Sequence, residues 1–254
     1  GVLYKLQPWF EMAPFPAGQS IAFTNMAWCN LVKYTTTDGA KKKARYRYNF
    51  EIRHTDGSLN DFGNIFSLID AASATNSPNY VANMENLADM ENWMRVFAAN
   101  HAAGNWDSFG AQNSQNIYAY FGAEGTRATL MMWDFNIVFG NSSSWSPGQN
   151  LFTVNSQDAN MKALYNVPEF RRMYWRALQE LVNGPLDVNK SGSLLTAKYN
   201  AFLAAGLNPE NPATNIVAWL TQARTSISSQ LAAVDATSFS VNGAVVVTND
   251  VGYL

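Results

Sequence analysis

A short β-hairpin between two long helical stretches is the feature that most constrains how this chain can fold. Residues 117–121 (IYAYF) and 128–133 (ATLMMW) carry the β-branched and aromatic residues typical of strands, and residues 124–125 predict the turn between them. Apolar residues recur at helical spacing within 60–103, before the hairpin, and within 158–234, after it. Because strands and helices are grouped along the chain, the pattern predicts an α+β fold.

Further strands and helices are predicted on both sides of the hairpin. A proline-rich stretch separates the first two strands, and a turn at residues 242–243 (NG) joins the last two. Asp61 is a candidate N-cap for the first helix. The other predicted strands are residues 2–6, 21–23, 46–53, 239–241 and 244–247, and the predicted helices are residues 62–69, 87–102, 168–181, 191–205 and 213–233.

Composition narrows the class of protein. A chain of 254 residues with 47% apolar residues can bury a core as one large or two small domains. Charged residues make up only 14%, which suits an exported protein, and the net charge of −2 argues against a general nucleic-acid binder. The single cysteine, Cys29, excludes a disulfide framework and a multi-cysteine metal site within the chain. The sequence has no apolar run of the roughly 18 residues that a membrane span needs.

Residues 41–48 (KKKARYRY) form a basic segment with interleaved aromatic residues. Such a segment can bind phosphate or nucleic acid. The alternative interpretation is a loop followed by a strand that exposes Arg45 and Arg47 on its solvent face, and this is the interpretation we favour.

Common catalytic motifs are missing from the sequence. The chain has no Walker A loop, no GxSxG and no HExxH motif, and His54 and His101 lack the spacing of a metal site. Residues 61–63 (DFG) match the metal-binding triplet of protein kinases. They lie at a predicted helix start, where an N-cap explains the aspartate.

Two polar loops flank the hairpin. Asp107 precedes its first strand and Asp134 follows its second, so pairing of the strands brings these loops close together. Phosphoryl transfer needs an aspartate for the attacking hydroxyl and further oxygen ligands for Mg²⁺, roles for which Asp107, Asn116 and Asp134 are the candidates. Turn chemistry also explains polar residues in loops, and spacing alone does not separate a kinase from a two-carboxylate glycosidase.

Three motifs in this region resemble the CotH spore-coat kinase family. Residues 104–108 (GNWDS), 115–120 (QNIYAY) and 132–140 (MWDFNIVFG) are similar to its G-N-x-D loop, N-x-Y-x-Y strand and W-D-x-D-x-x-x-G loop, in that order. The similarity extends from residue 1 to about residue 234. Further similar segments are residues 1–5 (GVLYK), 66–71 (FSLIDA), 168–174 (PEFRRMY) and 181–186 (LVNGPL).

The resemblance implies an atypical protein-kinase-like fold, with a hairpin that carries the metal site and a C-terminal helical bundle. It implies a kinase that uses ATP with Mg²⁺ or Mn²⁺ to phosphorylate serine in a protein substrate. By the same resemblance Asp107 is the catalytic residue, and Asp134, Asn116 and Asn136 are the metal ligands. Asn136 stands where the family motif has its second aspartate, so a neutral amide replaces one carboxylate.

We expect a kinase-like domain over residues 1–235, and a following β module that begins over 236–254. We also expect a monomer at the cell surface or outside a bacterial cell. In the family, strands and a helix that precede the G-x-L-Y-K segment carry the lysine and glutamate expected at the nucleotide phosphates, and we expect this chain to be a fragment without them. Two alternatives remain open: a non-catalytic surface or adhesion module on the same fold, and a carbohydrate-active domain, suggested by the eight tryptophans.

Overall fold

The computed structural model describes residues 1–12, 23–123, 127–141, 144–151, 158–235, 239–241 and 244–247. The described residues form eight strands and eight helices, which confirms the predicted α+β class. The strands are β1 (Val2–Leu6), β2 (Trp9–Met12), β3 (Phe23–Ala27), β4 (Phe50–Thr55), β5 (Ile117–Phe121), β6 (Thr129–Met132), β7 (Phe239–Val241) and β8 (Ala244–Val247). The helices are α1 (Lys43–Asn49), α2 (Gly63–Ala72), α3 (Tyr80–Leu87), α4 (Met90–Ala102), α5 (Ala159–Asn166), α6 (Pro168–Asn183), α7 (Val188–Ala204) and α8 (Ala213–Asp235).

An antiparallel sheet of four strands, in the order β4-β1-β5-β6, positions the hairpin. Leu6 pairs with Phe50 on one side and with Ile117 on the other, and Ile117 pairs with Met132. The start of β5 and the end of β6 therefore lie at one end of the sheet. We call it the Ile117 end. Pairing of the hairpin strands is thus confirmed, while the predicted turn at residues 124–125 lies outside the described residues.

The chain divides into two compact units. The sheet unit comprises Gly1–Trp93, Asp107–Asp134 and Asn155–Val167, and the remaining segments form the helical unit. In the sheet unit, Tyr4 and Leu6 of β1 are buried against the core, as is Ile117 of β5. Each such side chain contributes about 1.5–3 kcal/mol by leaving water.

The helical unit has a core of its own. The buried face of α6 includes Phe170, Tyr174 and Leu178, which confirms the predicted amphipathic helix. His101 is buried, its Nδ1 lies 2.8 Å from the hydroxyl of Tyr174, and its ring stacks on Phe97. The histidine is therefore a packed core residue of this unit.

The predicted strand over residues 46–53 is wrong in its first half. Residues up to Asn49 form α1, and β4 begins only at Phe50. Tyr46 and Asn49 are both buried, and their spacing of three residues suits a helix. The side-chain amide of Asn49 donates to the carbonyl oxygens of Gln7 and Ala27, at 2.9 and 3.1 Å. Tertiary contacts at these two positions outweigh the alternating basic and aromatic pattern.

The remaining predictions concern the start of the first helix, the second strand and the last turn. The prediction that Asp61 is the N-cap of the first helix is wrong, because Phe62 occupies that position, although Asp61 Oδ1 accepts a hydrogen bond from the backbone amide of Gly63 at 2.9 Å. Residues 21–22 of the predicted second strand, and the turn at residues 242–243, lie outside the described residues. The sequence patterns did not predict β2, α3 or α5.

Two further findings concern the carbohydrate-active alternative and the possibility of a membrane span. Trp93 and Trp219 are buried in the cores of their units, so neither forms an exposed sugar-binding platform. Across the ranges that the structure describes, no helix combines the length and the hydropathy needed to span a bilayer.

Candidate functional site

The loop that carries Asp107 is held in place by the sheet unit. Beyond Asp107, Ser108 and Phe109 are buried, and the amide of Phe109 donates to the carbonyl oxygen of Gln115 at 2.6 Å. The ring of Phe109 lies edge-on to that of Trp93. The hydroxyl of Tyr165 donates to the carbonyl oxygen of Gly110 at 2.9 Å. These contacts hold the backbone next to Asp107 in one conformation.

The segment around Cys29 contacts both the Asp107 loop and the last residue of α1. The amide of Cys29 donates to the carbonyl oxygen of Ser114 at 3.1 Å, and its thiol donates to the carbonyl oxygen of Asn49 at 3.0 Å. Complete burial raises the pKa of the Cys29 thiol well above its usual value. The cysteine is therefore a protonated structural residue.

Asp158 anchors the start of α5 beside this segment. Its carboxylate accepts hydrogen bonds from the backbone amides of Leu31 and Asn160, at 2.6 and 2.9 Å. Burial raises its pKa, and the backbone donors act in the opposite direction. It caps the helix and stabilises the Leu31 segment.

The carboxylate of Asp107 is surrounded by amide donors. The side-chain amides of Asn113 and Gln115 both donate to Oδ1, the former at 2.8 Å, and that of Asn116 donates to Oδ2 at 3.1 Å. We call these three residues the amide cage. Because each donor favours one orientation of the carboxylate, the cage orients the aspartate.

Asn116 connects the cage to the hairpin. It directly precedes β5 at the Ile117 end, and its φ of 55° lies in the left-handed region that asparagine tolerates better than most residues. Its side-chain nitrogen donates to both the carbonyl oxygen and Oδ2 of Asp107, at 2.9 and 3.1 Å. Both amide hydrogens are thereby used, so its Oδ1 is the atom that can ligate a cation.

Asp134 lies at the same end of the sheet in a different environment. It follows β6 by two residues, has a φ of 59° and is exposed to solvent. It makes no hydrogen bond or ion pair with any residue that the structure describes. Beside it, Trp133 is 51% exposed and contacts the ring of Tyr118 edge-on. Strained backbone at two polar residues on neighbouring strands is a pattern found at functional sites.

The predicted site residues are thus only partly brought together. Asp107 and Asn116 are in direct contact, and the register places Asp134 at the neighbouring strand end. Asn136 belongs to the helical unit, is exposed, and accepts a hydrogen bond on its carbonyl oxygen from Asn141. Sequence reasoning missed Asn113 and Gln115, although the amide-rich run at residues 113–116 (NSQN) was a visible signal.

The side chains available as ligands determine which metal ion the candidate site could hold. Among the described residues, no group of three or more His, Cys, Asp and Glu side chains could hold a metal ion. The candidate site offers the Asp134 carboxylate and the Asn116 amide oxygen instead. Mg²⁺ is usually bound through one or two carboxylates, with phosphate oxygens and water completing its shell, so these residues fit a nucleotide-bound ion.

No curated protein matches the sequence significantly. The family model for CotH kinase protein matches residues 17–229. The three motifs at residues 104–108, 115–120 and 132–140 lie within the matched range, whereas residues 1–5 precede it. Because the match covers most of its length, the chain belongs to the CotH kinase protein family.

Proposed function

We propose that this chain is a protein kinase that uses ATP and a divalent metal ion to phosphorylate serine side chains of an exported or cell-surface protein. Family membership supports a kinase-like function, and favours phosphoryl transfer over the glycosidase that spacing left open. The observation that carries the proposal is the contact of Asp107 with Asn116 at the hairpin end beyond which Asp134 lies.

In the proposed reaction Asp107 accepts a hydrogen bond from the serine hydroxyl. The serine oxygen forms a bond to the γ-phosphorus while the bond from that phosphorus to the β,γ-bridging oxygen breaks, which releases ADP. The hydroxyl proton passes to the Asp107 carboxylate. The amide cage keeps this carboxylate in one orientation, so less conformational entropy is lost when the substrate binds.

Asp134 and the Asn116 oxygen are the residues we propose for Mg²⁺ or Mn²⁺. When bound, the ion neutralises charge on the nucleotide phosphates. Asn136 is proposed as a further ligand. Its neutral amide oxygen attracts a cation less strongly than the carboxylate of the family motif, so we expect weaker metal binding than with an aspartate there.

Calorimetric titration of ATP in the presence of Mg²⁺ or Mn²⁺ tests the proposal. We expect metal-dependent binding to the chain, and its loss in the Asp134→Ala variant. Asp38→Ala is the matched control, because Asp38 is an exposed carboxylate in a turn where it accepts from Thr36. Metal-dependent binding that persists in Asp134→Ala would contradict the assigned ligand. Absence of metal-dependent ATP binding by the wild-type chain would contradict the kinase proposal.

A non-catalytic binding module on the same fold is the second candidate. Asn136 favours it, and so does the exposure of three consecutive large apolar side chains, those of Met131, Met132 and Trp133. This candidate predicts that the chain transfers no phosphate to a protein substrate.

A further inference from the structure

The outer face of α1 has an unusual combination of exposed side chains. Lys43, Ala44, Arg47 and Tyr48 are all exposed, while Tyr46 and Asn49 face the core. Residues four apart lie one above the other on a helix, so Lys43 and Arg47 form one side of this face and Ala44 and Tyr48 the other. Together these four residues are the α1 face.

Its two cations are held together by a neutral residue. Lys43 Nζ donates to the backbone carbonyl oxygen of Asn60 at 3.3 Å, and Arg47 Nη2 donates to Asn60 Oδ1 at 2.9 Å. Like charges four apart on a helix repel each other. In the described part of the chain neither cation forms an ion pair, whereas nearby Lys41 pairs with Asp70. In the described residues, therefore, no carboxylate is in direct contact with the two cations of the α1 face.

Local charge differs sharply from that of the whole chain. Residues 41–47 contain five of the 17 lysines and arginines, in a chain whose net charge is −2. The concentration of positive charge at one helix creates a local field that attracts anions.

Aromatic side chains border the cations. Tyr48 is 54% exposed, and its ring centroid lies 6.1 Å from that of Trp9. The guanidinium of Arg45 lies over the rings of both Tyr34 and Trp9, at 4.5 and 5.9 Å from their centroids. Tyrosine, tryptophan and arginine are the residue types enriched at protein interfaces and at their binding hot spots.

We propose that the α1 face, with Trp9 beside it, docks an acidic segment of another protein. Carboxylate side chains would pair with Lys43 and Arg47, and apolar side chains of the segment would lie against Tyr48 and Trp9. Charge complementarity is the basis of the choice of partner. A nucleic acid is the less favoured occupant, because the chain as a whole carries no basic excess. This docking needs neither ATP nor the Asp107 site, so it stands apart from the proposed kinase function.

The test uses the full chain and a fluorescein-labelled peptide in which glutamate alternates with leucine. Fluorescence anisotropy measures its affinity at low and at physiological ionic strength, without nucleotide. We expect binding that weakens with salt, and a loss of affinity of at least about tenfold in the Lys43→Glu/Arg47→Glu variant. The control variant Lys162→Glu/Lys198→Glu makes the same change of charge at two other exposed helical lysines and should change the affinity less than about twofold.

Two further variants separate docking from misfolding and from simple charge. Lys43→Gln/Arg47→Gln keeps long polar side chains, and should lose affinity while its circular dichroism and thermal unfolding stay unchanged. Tyr48→Ala should weaken binding without altering its salt dependence, because it removes an apolar contact. Retention of the docking affinity by the glutamine variant would overturn the proposal.

The remaining outcomes are also decisive. If the wild-type chain binds no acidic peptide, or if the control variant loses as much affinity as the α1 variant, the proposal is wrong. It is likewise overturned if single-stranded oligothymidylate binds more tightly than the peptide and loses its affinity in the same variants, since the face would then be a nucleic-acid site.

Discussion

The two aspartates beside the hairpin, Asp107 and Asp134, differ in how far the protein orients them. Asp107 is half-buried, and three side-chain amides hold its carboxylate. Asp134 is exposed, and no hydrogen bond or ion pair joins it to a described residue. A group that must meet a neutral hydroxyl gains from orientation in advance. A group that completes its shell with a metal ion and phosphate oxygens can be ordered when they bind. The contrast matches the two proposed roles.

The largest effect should follow from removing the oriented carboxylate. Asp107→Ala should lower the rate of phosphate transfer by about a thousandfold, since the group that accepts the hydroxyl proton is lost. ATP affinity should change little. A radiolabelled transfer assay together with calorimetry checks both quantities. Transfer at the wild-type rate would show that Asp107 is not the catalytic residue.

The second prediction concerns the exposed aspartate. Asp134→Ala should lower metal-dependent ATP affinity by at least about tenfold, and chelation of the metal with EDTA should give the same loss in the wild-type chain. Because Asp134 has no described partner, the free energy of unfolding should fall by no more than about 1 kcal/mol, the cost of placing alanine in the left-handed backbone that Asp134 adopts. Urea denaturation checks the latter. A large loss of stability would mean that Asp134 has a structural role and would weaken the comparison.

A change in the amide cage should affect rate more than binding. Gln115→Met retains similar volume but removes a donor to Asp107 Oδ1, so kcat should fall by about tenfold while the KM for ATP stays nearly constant. The matched control is Gln112→Met, in the same loop, where no hydrogen bond to a described residue is lost. Steady-state kinetics of the two variants decide the matter. Equal effects in both would indicate that general disturbance of the loop, and not the bond to Asp107, limits the rate.

The smallest effect is expected at the departure from the family motif. Asn136→Asp restores a second carboxylate, and the added negative charge should increase Mg²⁺-dependent ATP affinity by about threefold. Calorimetry at matched ionic strength measures the change. Asn200→Asp is the control, because it adds the same charge at another exposed asparagine of the helical unit, whose side chain makes no hydrogen bond with a described residue. A gain shared by both variants would indicate general electrostatic attraction and not ligation.

Much of the candidate site was accessible from sequence because it depends on local pattern. The hairpin strands could be predicted from alternating β-branched and aromatic residues, and their pairing necessarily brings the start of one to the end of the other. The family resemblance then identified Asp107, Asn116 and Asp134 as a set. The roles of these residues, and of Asn136, remain predictions.

The amide cage could not be predicted, because side-chain contacts across a loop depend on its three-dimensional course. In sequence, Asn113 and Gln115 are ordinary polar residues of a loop, and only the folded loop directs their side-chain amides to Asp107. The partial burial of Asp107 and the solvent exposure of Asp134 could likewise not be predicted, since both aspartates lie in similar polar loops.

The sequence by itself determined the α+β class, the hairpin and most of the helices, since periodicity and turn residues act locally. Tertiary structure decided the conformation of residues 43–49, where burial of Tyr46 and the bonds of Asn49 favour a helix over the strand that the alternating pattern suggested. It also decided that hydrogen bonds orient the carboxylate of Asp107 and that the carboxylate of Asp134 is exposed to solvent. The physical reason is the same in both cases: burial and hydrogen bonding between segments distant in sequence outweigh local preference wherever that preference is weak.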